Sequence, residues 1–309
     1  MASDRATTLL DSLLAIRGLK VKQNEPLARY TTMKIGGPAD YFLEVDARPA
    51  LAQALKVLSE HRVPFCLLGK GSNVLVSDRG VRGAVIRLGE DFKRAAWREE
   101  AGRAFVEVGA AHAMTQLVRE AARRGFGGLE FGEGIPGSVG GALYMNAGAY
   151  GSEMEKIVER VEGATPAGDA VAFARDQMTF GYRDSNLPPG TIVTAVTMRL
   201  EKQDAAEVST RVRDLVARRK SSQPAGFPNS GSMFRNPPGD FAGRLIEAAG
   251  WKGRRIGQAQ ISERHGNFIV NHGGATAADV KALMDGARTE VKNKFGLELV
   301  PEVRFLGDW

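Results

Sequence analysis

The chain has 309 residues, of which 43% are hydrophobic and 25% charged, and its 42 basic and 36 acidic side chains give a net charge of +6. At roughly 150 residues per domain, this length predicts about two domains. No apolar run approaches the ~18 residues of a membrane-spanning helix, and the first residues lack a signal-peptide pattern. A lone Cys66 permits no internal disulfide, and no Cys/His cluster has zinc-site spacing. We therefore expect a soluble, cytoplasmic protein with no metal centre.

The excess of basic residues has two interpretations. Basic pairs such as Arg123-Arg124 are typical of solvated faces. Nucleic-acid binding calls for Lys and Arg interleaved with exposed aromatics, and aromatic residues make up only 7% of the chain. Small ligands that carry phosphate fit this composition better than a nucleic-acid polymer.

The residue patterns predict a mixture of helices and strands. In chain order they are a helix at 1–18, a strand at 41–45, a helix from Pro49, strands at 65–68, 74–76, 84–88 and 105–108, a helix at 113–124, strands at 157–161 and 191–200, and a charged helix at 205–220. After a loop come a helix at 241–249, strands at 256–261 and 268–270, a helix capped by Thr276 and Asp279, and a strand at 297–305. This order indicates two α+β domains rather than one doubly wound sheet.

Glycine is concentrated in two stretches. It accounts for 37 of the 309 residues, and the densest region is 125–151. Residues 132–137 match G-x-G-x-x-G, but no strong strand precedes them and Pro136 lacks an N–H, so we reject a Rossmann-type site. Residues 69–73 (GKGSN) follow an apolar strand, so their N–H groups could converge on an anion. A plain β-turn explains residues 69–73 equally well.

Seven short sequence blocks, taken together and in this order, identify a protein family more specifically than any single block does. They are TTMKIGGPA at 31–39, GKGSN at 69–73, GIPGSVGGA at 134–142, NAGAYG at 146–151, YRDS at 182–185, GSMFRNP at 231–237 and PEV at 301–303. Through this ordered set, the chain resembles the UDP-N-acetylenolpyruvoylglucosamine reductase family from about residue 30 to its C-terminus.

This resemblance implies an α+β protein with an FAD-binding domain of the vanillyl-alcohol oxidase/p-cresol methylhydroxylase type, followed by a smaller α+β substrate-binding domain. The expected divisions are an N-terminal helix at 1–20, an FAD-binding domain of two lobes at 21–203, and a C-terminal domain at 204–309. The glycine-rich loops contain neither His nor Cys, so we expect noncovalent FAD. The implied cofactor-binding residues are Gly69, Lys70, Gly71, Ser72, Asn73, Ile135, Pro136, Gly137, Ser138, Gly140, Gly141, Gly148 and Ala149.

The resemblance also implies a reaction, the reduction of UDP-N-acetylglucosamine enolpyruvate to UDP-N-acetylmuramate for peptidoglycan synthesis. NADPH would reduce FAD, and flavin N5 would pass hydride to C3 of the substrate. Arg183 would stabilise the charge on C2 and the carboxylate, Ser232 would protonate C2, and Glu302 would orient a protonated group or bond the enol. Without the resemblance, Arg183 would be read as the partner of Asp184 in a surface ion pair. Ser232 would be read as a turn residue, and Glu302 as a solvated position in a strand.

Four substrate contacts are implied in the same way. Asn236 matches a family position that contacts the UDP group, and Lys220 matches a family lysine near the diphosphate. His265 stands where some members of the family have a Gln that contacts the substrate. Tyr182 would shape the mouth of the active site. The alternatives are a Lys that complements a helix dipole, a structural His and a buried loop Tyr. The segment 184–190 leaves no room for the tyrosine-bearing loop of the best-known subclass, so the chain resembles the shorter second subclass.

Two other functions stay open on the sequence alone. One is another FAD-dependent oxidase or dehydrogenase of the same fold, and the other is a non-catalytic nucleotide- or RNA-binding protein. Our main expectation is a monomeric enzyme that binds NADPH and the UDP-sugar in turn in one pocket. We expect no nucleic-acid or membrane partner.

Overall fold

The computed structural model describes residues 2–309, with side chains from Thr8 onward. Helix α1, Ala2–Leu14, lies within the predicted helix at 1–18, whose Met1 is outside the described residues. The chain forms two compact units, each made of three segments. Unit 1 comprises Met1–Gln23, Tyr41–Gly69 and Gly83–Ala217, and unit 2 comprises Asn24–Asp40, Lys70–Arg82 and Arg218–Trp309. The predicted division between 203 and 204 cuts the chain once, and it stays a prediction.

The first sheet of unit 1 lies against helices α1 and α2 (Arg48–Glu60). The first five strands of the chain are β1 (Leu19–Pro26), β2 (Pro38–Val45), β3 (Phe65–Leu67), β4 (Val74–Val76) and β5 (Val81–Leu88). Four of them form a sheet in the order β1-β2-β5-β3, with β3 parallel to β5. Leu51, Leu55 and Leu58 recur at helical spacing on α2 and are fully buried, so this face of the helix covers the core.

The second sheet of unit 1 is antiparallel and carries the longest strand. Its strands are β6 (Ala95–Glu100), β7 (Arg103–Gly109), β8 (Phe126–Gly127), β11 (Val158–Ala164), β12 (Ala170–Ala174) and β15 (Ile192–Lys202). Their order is β12-β11-β15-β7-β6, and β8 also pairs with β15. Short strands β9 (Gly148–Ala149), β10 (Ser152–Glu153), β13 (Phe180–Gly181) and β14 (Asp184–Ser185) form two small hairpins. Helices α3 (Met114–Arg124), α4 (Val139–Tyr144) and most of α5 (Ala205–Ser222) complete the unit.

Strands β6 and β12 are absent from the sequence prediction. Both lie at the edges of the second sheet, and most of their residues are exposed. Because an edge strand buries little apolar surface, its sequence lacks the clear alternation that reveals a half-buried strand. Their pairing with β7 and β11 therefore decides their conformation.

Unit 2 is built around helices α6 (Ala242–Ala248) and α7 (Ala277–Phe295). A three-stranded antiparallel sheet contains β16 (Arg255–Ile256), β17 (Ala259–Ile261) and β18 (Ile269–Asn271), while β19 (Arg304–Leu306) runs parallel to β4. Its core joins Met233 and Phe234 to Leu245 of α6 and Leu283 of α7. In the described part of the chain, no helix is long and apolar enough to cross a membrane.

Two strands predicted in this unit are wrong in extent. The predicted strand at 256–261 is two strands, because Gly257 turns the chain in the left-handed region at φ +54°. The predicted strand at 297–305 is confirmed only over β19. The Pro301 ring carries no N–H for a ladder, and residues 300–302 instead pair irregularly with the segment around Phe234.

Candidate active site

Unit 1 brings together the beginning of the 69–73 loop and the 135–141 loop. A side chain at Gly69 would place its Cβ 2.9 Å from Ser138 Oγ, so the backbone at Gly69 passes directly over Ser138. Ser138 is also the N-cap of α4, where its Oγ accepts from the N–H of Gly141 at 3.4 Å. The N–H of Met114 donates to Gly137 O at 3.2 Å, which fixes the loop against the start of α3. Gly69 and Ser138, two residues that the sequence assigns to the cofactor, are thus neighbours within unit 1.

Both loops present backbone donors. In unit 1, the N–H groups of Gly137 and Ser138 meet no acceptor among the described residues, whereas the N–H of Gly140 is used by Ala110 O. In unit 2, the same is true of the N–H groups of Gly71, Ser72 and Asn73 within the described part of the chain. Successive unpaired N–H groups in a loop suit an anion that approaches the backbone closely.

Gly71 requires its glycine for two reasons. Its φ of +62° is in the left-handed region, and a Cβ there would lie 2.3 Å from the carbonyl oxygen of Tyr30. Its own carbonyl oxygen accepts from the N–H of Thr32 at 3.0 Å. The loop is therefore held against the 30–32 segment, and its N–H groups are left for another partner.

The donors of each unit, taken by themselves, suit the pyrophosphate of FAD. The pyrophosphate of FAD is anionic, and the unpaired N–H groups beside closely packed glycines are the kind of donors that a pyrophosphate needs. The other expected cofactor residues lie in the same loops or in β9, where Gly148 and Ala149 pair with β10. Among the described residues, no group of three or more His, Cys, Asp or Glu side chains could hold a metal ion.

Arg183 lies at the turn of the β13–β14 hairpin in unit 1. Its φ of +58° is in the left-handed region, which a residue with a side chain seldom adopts. Its Nη2 donates to Gly148 O at 3.0 Å, so the guanidinium reaches the glycine-rich segment. The hairpin is tied down further by Asn146 Nδ2, which donates to Gly181 O at 3.1 Å, and by Ser185 Oγ, which donates to Tyr144 O at 3.0 Å.

Ser232 lies in unit 2, in an extended segment that follows Gly231. Gly231 has φ +74°, and this left-handed turn directs the chain into the segment. Ser232 is half-buried, and its Oγ has no hydrogen-bond partner among the described residues. The hydroxyl proton of Ser232 is therefore not used by the fold.

Unit 2 places Glu302 and Asn73 beside this segment. The N–H of Glu302 donates to Met233 O at 2.8 Å, and the side-chain Nδ2 of Asn73 donates to Glu302 O at 3.2 Å. The carbonyl oxygen of Asn73 accepts from the N–H of Arg304 at 2.9 Å. Of the three expected catalytic residues, Ser232 and Glu302 thus lie in adjacent, hydrogen-bonded segments of unit 2, and Arg183 belongs to unit 1.

The expected substrate contacts are scattered over both units. Tyr182 is 49% exposed, so the alternative of a buried loop tyrosine is wrong, and its ring centroid lies 5.1 Å from the Arg183 guanidinium. Lys220 is exposed in the last turn of α5. Asn236 is exposed; its Oδ1 accepts from the N–H of Ala242 at 3.1 Å, while its Nδ2 has no partner among the described residues.

His265 uses one ring nitrogen inside the protein. Its Nδ1 accepts from the N–H of Asn267 at 3.2 Å, so the neutral ring carries its proton on Nε2. Burial lowers the pKa of His265, which favours this neutral form. Burial likewise raises the pKa of the Cys66 thiol to about 11, so Cys66 supplies no thiolate nucleophile at neutral pH.

Asn267, which is 3% exposed in unit 2, is not among the residues that the sequence motifs single out. It bonds the backbone on the C-terminal side of Ser232, through Met233 and Phe234. The available signal was a polar residue directly before the apolar run 268–270, because a buried amide must find partners.

Comparison with known proteins matches two family models to the chain. Residues 39–198 match an FAD-binding domain, and residues 223–306 match the C-terminal domain of UDP-N-acetylenolpyruvoylglucosamine reductase. The expected fold class, an FAD-binding domain followed by a smaller α+β domain, is confirmed.

Individual relatives align over nearly the whole chain. UDP-N-acetylenolpyruvoylglucosamine reductase 2 of Symbiobacterium thermophilum is 45% identical over 93% of this chain and 92% of its own length. The reductase of Bacillus subtilis is 42% identical over 93% of this chain and 94% of its own length. The crystal structure of UDP-N-acetylenolpyruvylglucosamine reductase from Thermus caldophilus superposes with a TM-score of 0.81 at 40% identity, covering 93% of this chain and 99% of that chain. The chain belongs to the UDP-N-acetylenolpyruvoylglucosamine reductase family.

Proposed function

We propose that the protein reduces UDP-N-acetylglucosamine enolpyruvate to UDP-N-acetylmuramate with NADPH, and that Ser232 delivers the proton. The observation that carries this assignment is the unused hydroxyl of Ser232 in the segment that also bonds Glu302. When bound, FAD would supply the hydride transfer from NADPH to C3 of the enolpyruvyl group. The proton that completes the reduction must then reach C2 of the substrate.

Ser232 suits this proton transfer chemically. A hydroxyl is a weak acid, but a carbon that has gained the electron pair of a broken double bond is basic enough to take its proton when the two are held together. Glu302 would bond the enol form or hold a protonated group near the substrate carboxylate. The backbone hydrogen bond between Glu302 and Met233, the residue after Ser232, supports a joint role for Ser232 and Glu302.

Arg183 would stabilise the negative charge that develops on C2 and the adjoining carboxylate. Its guanidinium is always protonated and offers paired donors that match a carboxylate. Because the charge grows during the reaction, a fixed cation stabilises the transition state more than the bound substrate. The bond from Arg183 to Gly148 O supports this role, since it fixes the side chain in advance.

The remaining assignments follow the same proposal. FAD would be held noncovalently by residues 69–73, 135–141 and 148–149, and the UDP group by Lys220 and by the free Nδ2 of Asn236. Tyr182 would line the mouth of the site. His265 would contact the substrate only through Nε2, because Nδ1 is used by Asn267. We also propose that the enzyme is a cytoplasmic monomer of the shorter subclass, with no nucleic-acid or membrane partner, and that both substrates use one pocket in turn.

Substitution Ser232→Ala tests the proton-transfer assignment. We expect flavin reoxidation by the enolpyruvyl substrate to slow by about 10²–10⁴-fold, because the proton donor is lost. Flavin reduction by NADPH needs no such proton and should keep its rate. Both half-reactions are followed by stopped-flow absorbance of the flavin.

Ser221→Ala is the matched control, since it removes an exposed hydroxyl whose hydrogen bond within the described residues is to Arg218 O in α5. If Ser232→Ala slowed both half-reactions equally, Ser232 would not be the proton donor. Steady turnover of another alcohol with oxygen, with none of the enolpyruvyl substrate, would instead favour an oxidase of the same fold.

A further inference from the structure

A buried asparagine holds the segment that carries Ser232. Asn267 Nδ2 donates to the carbonyl oxygen of Phe234 at 2.7 Å, and Asn267 Oδ1 accepts from the N–H of Phe234 at 2.9 Å. Its backbone oxygen accepts from the N–H of Met233 at 2.9 Å. The carboxamide therefore pairs with one residue as a neighbouring strand would, with a donor and an acceptor side by side. No other side chain of this size and neutral charge offers both groups in this way.

Asn267 is itself fixed by its surroundings. Its N–H donates to His265 Nδ1 at 3.2 Å, and the His265 ring packs edge-on against Phe268, with centroids 4.8 Å apart. A Cβ at Gly243 would lie 3.0 Å from His265 Cε1, so α6 lies directly against the ring. Asn267 thus joins the 231–236 segment to a turn that packing already holds in place.

The bonds to Asn267 set the register of the segment. Ser232 forms a bridge with Phe268 on one side, and Phe234 forms a bridge with Pro301 on the other. The oxygen of Met233 accepts from the N–H of Glu302, so Glu302 takes its position from the same segment. In an extended segment, a slip of one residue turns each side chain to the opposite face. Without the carboxamide of Asn267, the Ser232 hydroxyl would lose its fixed position relative to Glu302.

We infer that Asn267 is a positioning residue that holds the Ser232 hydroxyl in line for proton transfer to C2 of the substrate. This inference rests on the proposed function of Ser232. Asn267 is almost wholly buried, and both its Oδ1 and its Nδ2 are hydrogen-bonded to Phe234. Its side chain therefore acts on the reaction through the position of Ser232. Reactions between fixed groups are sensitive to position, and a displacement of about 1 Å can lower a rate by about 10²-fold.

The test compares Asn267→Ala with Asn271→Ala in the flavin-loaded enzyme. Asn271 is also 3% exposed, and its amide also bonds backbone, at Met33, Gly273 and Ala275, away from the 231–236 segment. We expect Asn267→Ala to slow flavin reoxidation by the substrate about 10²-fold, with flavin reduction by NADPH and the apparent substrate affinity within about threefold of wild type. The solvent deuterium isotope effect on reoxidation should rise. Asn271→Ala should lower the thermal midpoint comparably and leave both half-reactions within about threefold.

A uniform slowing of both half-reactions by Asn267→Ala, or equal kinetic effects of the two variants, would overturn the positioning role. Should Asn267→Ala not fold, Asn267→Ser keeps a small hydrogen-bonding group at the same place and is measured by the same half-reactions. The same two outcomes then decide the proposal.

The double variant Ser232→Ala/Asn267→Ala separates this inference from the proposed function. If Asn267 acts through Ser232, the double variant should reoxidise no more slowly than Ser232→Ala alone. Additive losses would show that Asn267 acts independently of Ser232. If Ser232→Ala had no selective effect, the proposed function would fail first. If Ser232→Ala were selective and Asn267→Ala were not, only the positioning role would fail.

Discussion

At the level of single residues, Arg183 combines an unfavourable backbone conformation with the side chain that we propose stabilises the developing charge on the substrate. A non-glycine residue in the left-handed region costs roughly 1–2 kcal/mol, and Arg183 adopts φ +58°. The bonds of Arg183, Asn146 and Ser185 to neighbouring carbonyl oxygens each contribute about 1 kcal/mol and offset this cost. Strained residues of this kind concentrate at functional sites. Glycine would suit the backbone of this turn better, which makes the proposed role of the Arg183 side chain open to a direct test.

We predict that Arg183→Gly separates activity from stability. The glycine relieves the backbone strain while the bond to Gly148 O is lost, so the free energy of unfolding should stay within about 1 kcal/mol of wild type. Reoxidation of the flavin by substrate should slow by about 10²–10³-fold, because the fixed cation is gone. Urea unfolding and stopped-flow absorbance measure the two quantities.

Arg183→Lys is the companion variant. It retains the charge without the planar paired donors, and its reoxidation rate should fall between those of Arg183→Gly and wild type. Normal turnover by the glycine variant would exclude Arg183 from the reaction.

At the scale of elements, helix α7 depends on a residue far away in the chain. Asp78 Oδ1 accepts from the N–H of Ala277 at 2.8 Å, and its Oδ2 accepts from the N–H of Ala278 at 3.0 Å. Thr276 and Asp279 add a local capping box at the same end. The first N–H groups of a helix have no partner within it, so each acceptor satisfies an otherwise unpaired donor. Asp78 thereby joins the 70–82 segment, which contains β4, to the longest helix of unit 2.

We predict that Asp78→Ala destabilises unit 2 by about 1–2 kcal/mol, because two N–H groups lose a charged acceptor at the positive end of the helix. Asp78→Asn, which keeps one acceptor oxygen, should lose less. Chemical unfolding measures the free energy, and hydrogen exchange at Ala277 and Ala278 should speed up selectively. Unchanged exchange at these two amides would contradict a capping role.

For the protein as a whole, each unit is built from separate stretches of sequence, and each has backbone N–H groups that meet no acceptor among the described residues. Residues 137–138 supply them in unit 1 and residues 71–73 in unit 2. A ligand that binds only the folded state stabilises it in proportion to the logarithm of its concentration. We therefore expect bound FAD to stabilise the folded enzyme.

We predict that the purified protein is yellow and releases all of its flavin on denaturation, since neither glycine-rich loop contains a His or Cys to bind it covalently. Removing the flavin should lower the thermal midpoint, and adding FAD at about 100 times its Kd should restore about 2.7 kcal/mol. The absorbance of the supernatant after acid precipitation gives the released fraction. Flavin that stays with the precipitate would indicate a covalent link.

The family and most of the helices can be read from the sequence, but α4 (Val139–Tyr144) was not predicted, because its residues lie in the glycine-rich stretch. The helix that Gly125 ends and the cap formed by Thr276 and Asp279 follow from contacts within a few residues, which a sequence displays directly. The ordered motifs indicated the FAD-binding domain and placed Ser232, Glu302 and Arg183 among the candidates for catalysis.

How these candidates are held follows from contacts between distant segments of the fold. Asn73 donates to a carbonyl 229 residues away, and Asp78 caps a helix 199 residues away. Edge strands β6 and β12 take their conformation from their partners, and Asn267 pairs with Phe234 across a fold that no local pattern specifies. The reason is physical: a hydrogen bond between distant segments depends on the packing that brings them together, and a short stretch of sequence does not contain that packing.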